Sequence, residues 1–81
     1  MLAEQVISPC HGEVKEVFVH NGDYIYEWET LFVIKGEETE AEVSIGISGN
    51  VKKLYIKKGD RVAPKMVLAT LEDDMVISGS D

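Results

Sequence analysis

Cys10 and His11 stand side by side, and cysteine with histidine can ligate a metal or form a nucleophile–base pair. Neighbours on an extended chain point to opposite faces, however, and Cys10 is the chain's single cysteine, with His20 its one other histidine. Without a third ligand nearby, no metal and no catalytic residue is expected, and Cys10 reads as a small apolar filler beside Pro9. Carboxylates recur at Glu37, Glu38, Glu40 and Glu42, a spacing that could attract a hard cation. No rigid ligand loop accompanies them, so they read as a solvated acidic turn. Lys35 is the only amine just before that turn. Tyr24, Tyr26 and Trp28 form an aromatic cluster, and Trp and Tyr are common interface anchors. Lys52, Lys53, Lys57 and Lys58 form a basic group, which is either a solvated strand face or a patch for an acidic partner.

The bulk properties limit what such groups could serve. The chain has 81 residues, enough for one domain with a modest core, and a formal net charge of −7. Residues 1–42 carry ten acidic and two basic side chains; residues 43–81 carry five and six. The overall sign repels phosphate, and aromatic residues do not interleave with a broad basic surface, so nucleic acid is not an expected partner. The longest apolar run, Leu31-Phe32-Val33-Ile34, is too short to span a bilayer. Met1 to Glu4 offers no basic region followed by an apolar stretch, which makes the cytoplasm the expected compartment.

The elements that must hold these groups follow from an internal repeat. Shifted by 37 residues, the sequence lies over itself without a gap. In the window 12–34, Gly12, Val14, Lys15, Gly22, Asp23 and Leu31 meet identical residues, and five further positions meet conservative ones. Repetition at this period signals a duplicated structural unit, and two copies suit a closed two-fold object better than a solenoid. Each copy opens with a β-rich run, Val14–Val19 and Val51–Ile56. Val14 and Val51 break the apolar alternation at the same point, which predicts a bulge in both. Glycine-aspartate turns at 20–23 and 57–60 follow, then short extended pieces at 24–26 and 61–63. A second turn and a final strand, 30–34 and 66–71, complete each copy. No segment shows a sustained helical pattern.

The phrases Ile7-Ser8-Pro9-Cys10-His11-Gly12, Val14, Asn21-Gly22-Asp23 and Leu31 resemble the first half of biotinyl/lipoyl attachment domains. Ile47-Ser48-Gly49-Asn50-Val51, Lys58-Gly59-Asp60-Arg61-Val62 and Val67-Leu68 resemble the second. The resemblance implies an all-β flattened barrel-sandwich of two four-stranded sheets with internal pseudo-two-fold symmetry. It implies one domain over 1–73, with halves at about 5–36 and 43–73, a hairpin tip at 36–40 and a flexible tail at 74–81. It further implies a lysine at the hairpin tip, flanked as Ala-Met-Lys-Met or Asp-Lys-Ala, acylated with biotin or lipoate. Counting from either half of the repeat places that lysine on Glu38, between Glu37 and Thr39, and a carboxylate cannot form the amide. Lys35, three residues early, is the alternative attachment point. Using it needs an odd register slip, which turns a strand's side chains to the opposite face.

The expected function is therefore a non-catalytic protein-interaction or assembly module without a cofactor, serving a biotin- or lipoate-dependent enzyme system. The alternative is a swinging-arm carrier bearing biotin or lipoate on Lys35. Tyr24, Tyr26, Trp28, Lys52, Lys53, Lys57 and Lys58 are the candidate partner surface. Trp28 stands where the resemblance implies a turn glycine, and it either faces a partner or covers the first half's core.

Overall fold

The computed structural model describes residues 3–73, so the tail expected at 74–81 lies outside the described residues. Among the described residues there are eight strands and no helix: β1 (Ala3–Ile7), β2 (Gly12–Val17), β3 (Tyr24–Ile25), β4 (Phe32–Lys35), β5 (Glu40–Val43), β6 (Gly49–Leu54), β7 (Arg61–Val62) and β8 (Val67–Asp73). They form two antiparallel four-stranded sheets, β1-β8-β6-β3 and β5-β4-β2-β7. This is the all-β barrel-sandwich expected from the sequence.

The two sheets are copies of one another. Adding 37 to β2 gives β6, and adding it to β3 gives β7. Exchanging each strand for its counterpart converts the first sheet's order into the second's. The correspondence reaches individual hydrogen bonds. Gly22 N donates to Val51 O at 2.7 Å, and Gly59 N to Val14 O at 2.8 Å. Val51 N donates to Asp23 O and Val14 N to Asp60 O, both at 2.8 Å. These bonds cross from one half to the other, so each half completes its partner's ladder. The pairing register shifts between Val14 and Glu16 and again between Val51 and Lys53, a bulge in each half where the alternation breaks.

The core obeys the same rule. Its buried hydrophobic residues fall into pairs 37 apart: Val6 with Val43, Val14 with Val51, Val19 with Ile56, Ile25 with Val62, Leu31 with Leu68, Phe32 with Ala69 and Ile34 with Leu71. Phe32 and Ala69 are the one pair of very unequal size, so the two inner faces are not filled identically. Among the described residues Ser8 is the only buried polar one; its hydroxyl donates to Cys10 O at 2.7 Å and accepts from Cys10 N at 3.4 Å.

The turns explain where the strands stop. Asp23 N donates to His20 O and Asp60 N to Lys57 O, both at 3.0 Å, and within these two turns positive φ falls on Gly22 (90°) and Gly59 (96°). Positive φ at the third residue is the mark of a type II turn, where glycine relieves the clash a Cβ would make. The aspartate side chains reach back to accept the amides of His20 at 2.8 Å and Lys57 at 2.9 Å. Strand pairing is therefore shorter than the expected run to Val19: β2 ends at Val17, although Phe18 N still bonds Leu31 O at 2.9 Å. The final strands also begin later than expected, at Phe32 and Val67; in the second copy Met66 N is still bonded in a turn, at 3.1 Å to Ala63 O.

Candidate functional site

The β4–β5 hairpin is pinned by alternation. Phe32 and Ile34 point into the core from β4 and Val43 from β5, leaving Lys35, Glu40 and Glu42 outward. Pairing of Phe32 with Val43 through Lys35 with Glu40 leaves Gly36-Glu37-Glu38-Thr39 as the connection, closed by Gly36 N donating to Thr39 O at 2.8 Å. Glu37 and Glu38 thus sit exposed at the centre of the turn. The turn ends one residue before the expected 40, because Glu40 is already paired in β5. Gly12 sits tightly against the base of this hairpin: a Cβ there would lie 2.5 Å from Lys35 O and 2.9 Å from Ile34 Cγ2.

Lys35 belongs to the strand and not to the turn. It pairs with Glu40 on one side and Glu13 on the other, and Glu13 pairs with Arg61. The sheet therefore carries an outward row of alternating charge, Glu40, Lys35, Glu13, Arg61, beneath the tip. The register places Glu40 opposite Lys35, but the Glu40 carboxylate is held by Lys15, which hydrogen-bonds it across the sheet. That bond holds the Lys15 ammonium above the ordinary lysine range, aided by the charge of Glu40. The row escapes sequence reading because the β2–β7 pairing joins residues far apart in the chain.

An open cleft of ≈ 370 Å³ lies beside this row, lined by His11, Gly12, Glu13, Lys35, Gly36, Glu37 and Arg61. His11 is exposed at its edge, whereas Cys10 is half-buried and packs against the core. The two side chains thus serve separate environments. Among the described residues no three of His, Cys, Asp and Glu are grouped to hold a metal ion.

The aromatic and basic candidates occupy different places. Tyr24 lies on β3, the edge strand beside β6, and its ring meets Tyr26 edge to face at 5.1 Å and 75°. Trp28 occupies the third position of the turn 26–29 at φ 62°, a left-handed conformation costing a bulky residue about 1–2 kcal/mol. Lys65, its counterpart, is at φ 71°. The indole does not cover the core. It lies over Gly46, where a Cβ would meet it at 2.6 Å, and stays 70% exposed. Sequence reading left Trp28 between these alternatives, and nothing local marks Gly46 as its seat. Lys57 and Lys58 belong to the opposite turn, beside β2: Lys57 pairs with Asp60 at 3.3 Å and Lys58 with Glu16 at 3.8 Å. Lys52 sits exposed at the β6 bulge, and the Lys53 ammonium lies 5.3 Å over the Tyr55 ring.

Residues 4–71 match the biotin/lipoyl family model described as biotin-requiring enzyme. The acetyltransferase component of the Haemophilus influenzae pyruvate dehydrogenase complex, which is named for its dihydrolipoyllysine residue, is 32% identical over 73% of this chain and 10% of its own length. The alpha chain of pig mitochondrial propionyl-CoA carboxylase is 34% identical over 80% of this chain and 9% of its own. The Kluyveromyces lactis urea carboxylase structure superposes with a TM-score of 0.80 at 26% identity, over 89% of this chain and 6% of that one. The chain thus spans a small part of each of these proteins.

Proposed function

The chain belongs to the biotin/lipoyl domain family, and from that premise we propose that it is an unmodified member acting as a protein-interaction or assembly module. One observation carries the reading. The β4–β5 turn offers Gly36, Glu37, Glu38 and Thr39, none with an amine, in the position where the family resemblance expects the acylated lysine. Glu38 is the attachment-equivalent residue in this reading. Such a module performs no reaction itself. Its partner belongs to a biotin- or lipoate-dependent enzyme system of the kind its relatives are named for.

The second reading is a carrier loaded with biotin or lipoate on Lys35. It is favoured by the exposure of Lys35 on the rim of the cleft next to the tip. Against it stands geometry. Lys35 lies within a paired strand between Glu13 and Glu40, and presenting it at a turn requires unzipping the end of the hairpin.

Intact-mass measurement after co-expression with a biotin ligase, and separately with a lipoate ligase, distinguishes the two. The wild-type chain is expected to stay at its unmodified mass, and Glu38→Lys to gain a biotinyl or lipoyl mass at residue 38. A biotinyl or lipoyl mass on Lys35 of the wild type would overturn the first reading.

A further inference from the structure

The pseudo-two-fold relation provides an internal control for surface residues within the repeat, because residues 12–34 have counterparts at 49–71 in matching elements. Residues 16–34 carry Glu16, Asp23, Glu27 and Glu29 and no lysine or arginine, a net of −4. Their counterparts, 53–71, carry Lys53, Lys57, Lys58, Arg61 and Lys65 against Asp60, a net of +4. At the second turn Tyr24, Tyr26, Glu27 and Trp28 stand where the other half has Arg61, Ala63, Pro64 and Lys65. The backbone is the same in both: Trp28 N donates to Ile45 O at 2.8 Å and Lys65 N to Ser8 O at 2.9 Å, with φ 62° and 71°. The fold therefore builds this turn without any aromatic residue. Phe18 and Tyr55, which are exposed in both halves, show what a symmetric, fold-level exposure looks like.

What distinguishes the first turn is that residues 24–29 supply three exposed aromatic rings and two carboxylates, with no lysine or arginine in that segment. Tyr26 and Trp28 are 68% and 70% exposed, and Tyr24 is 42% exposed. The indole packs against Gly46 while most of its surface stays exposed. Glu29 is tied into the turn, its carboxylate accepting Tyr26 N at 2.9 Å, so negative charge is fixed within the aromatic turn. An aromatic face beside carboxylates selects for cations, most strongly for arginine, whose guanidinium stacks on the ring and bonds the carboxylate at once.

We propose that Tyr24, Tyr26 and Trp28, together with Glu27 and Glu29, dock an arginine- and lysine-rich segment of a protein partner. This names the partner chemistry for the interaction-module reading and rests on it. Complementary charge selects the occupant: the charged residues of the turn itself, Glu27 and Glu29, are all acidic, and the chain as a whole carries −7.

Trp28 is the chain's only tryptophan, so its emission reports the site directly. The full chain would be titrated with hexa-arginine, and with hexa-glutamine as a neutral control. Emission is expected to change saturably with the first and not with the second. A triple variant, Tyr24→Arg with Tyr26→Ala and Trp28→Lys, installs the second half's residues on a backbone that already accommodates them. Calorimetry is expected to show it binding hexa-arginine about 10-fold more weakly or worse. Glu27→Lys, which leaves the rings intact, is expected to weaken binding several-fold and safeguards the test if the triple variant melts early. Glu37→Gln with Glu38→Gln removes charge at the distant hairpin tip and is expected to change affinity less than about 2-fold.

The proposal is overturned by no saturable binding, by equal affinity in the triple variant, or by a tip variant that loses as much as the triple variant. It is also overturned by a wild-type dimer in sedimentation that the triple variant abolishes, since a second copy, presenting Arg61 and Lys65, would then be the occupant. Intact masses of the same samples separate the two claims. Modified chain that binds hexa-arginine sinks the unmodified reading alone, and unmodified chain that fails to bind sinks the docking surface alone.

Discussion

The two halves of this molecule share a backbone to the level of single hydrogen bonds and differ almost everywhere that faces water. Seven core positions in one half meet seven in the other, the bulges coincide, and both Gly-Asp turns close alike. The surfaces oppose one another: aromatic and acidic over 16–34, basic over 53–71. The hairpin turn 36–39 joins β4 to β5, while the corresponding end of the other sheet is β8 beside β1, where Glu72 pairs with Ala3. What is common to both halves is what closure demands. What differs is free of that demand, and there a partner surface can be looked for.

The most severe way to break the comparison is to disturb its one unequal core pair. Phe32 is fully buried, and its counterpart in the other half is Ala69, also fully buried. Phe32→Ala would put alanine at both matching positions and leave a void that the sheets cannot fill without moving. The expected cost is about 3–5 kcal/mol, enough to unfold much of so small a domain at ambient temperature. Urea melts followed by circular dichroism would measure it. A loss below about 1 kcal/mol would mean that the sheets close over the void, and that the size difference is not what holds them in place.

The contrast between halves also explains what could be read from the sequence. Repeat matches such as Gly22 with Gly59 and Leu31 with Leu68 reflect local turn and core requirements, and these survive in residue type. The place of Glu38 was legible for the same reason, since counting from either half leads into a turn whose length the register constrains. The charged row from Glu40 to Arg61 was not legible, because Glu13 meets Arg61 only when the barrel closes. Nor was the seat of Trp28. Tryptophan at that position gives no sign that the residue beneath it must be Gly46, a contact between two otherwise unrelated loops. The start of the last strand shifted by one residue because a turn hydrogen bond at Met66 takes an amide that the apolar pattern assigned to the strand.

A gentler comparison asks what Trp28 gains from its strained turn. Trp28 and Lys65 both hold positive φ. Glycine removes the left-handed penalty of about 1–2 kcal/mol while adding about 0.5–1 kcal/mol of unfolded-chain entropy. Lys65→Gly is therefore expected to stabilise by up to about 1 kcal/mol. Trp28→Gly removes the same strain and also the indole packed on Gly46, so it is expected to be less favourable than Lys65→Gly, or to destabilise. The difference between the two melting shifts measures the packing alone. Equal shifts would mean that the indole contributes nothing to the fold, and would leave partner binding as its only evident use.

The smallest expected effect concerns Asp60, whose carboxylate accepts the amide of Lys57 at 2.9 Å and its ammonium at 3.3 Å. The amide hydrogen bond is the main reason its pKa falls below the ordinary value of 3.8; partial desolvation opposes it, and the Lys57 side chain assists. A folded-state pKa below the unfolded one means that the unfolded chain binds the proton more readily at low pH. The contribution is fully present above the ordinary carboxylate range. It fades as pH drops past 3.8 and is gone below the lowered value. Asp60→Asn keeps the oxygen that accepts the Lys57 amide but cannot titrate. The stability difference between wild type and variant is therefore expected to be constant above about pH 5 and to shrink as pH falls towards about 2. Because the carboxylate is solvent-exposed, only a small change in midpoint is expected. A difference that grows on acidification would mean that the lowered pKa does not arise from this turn.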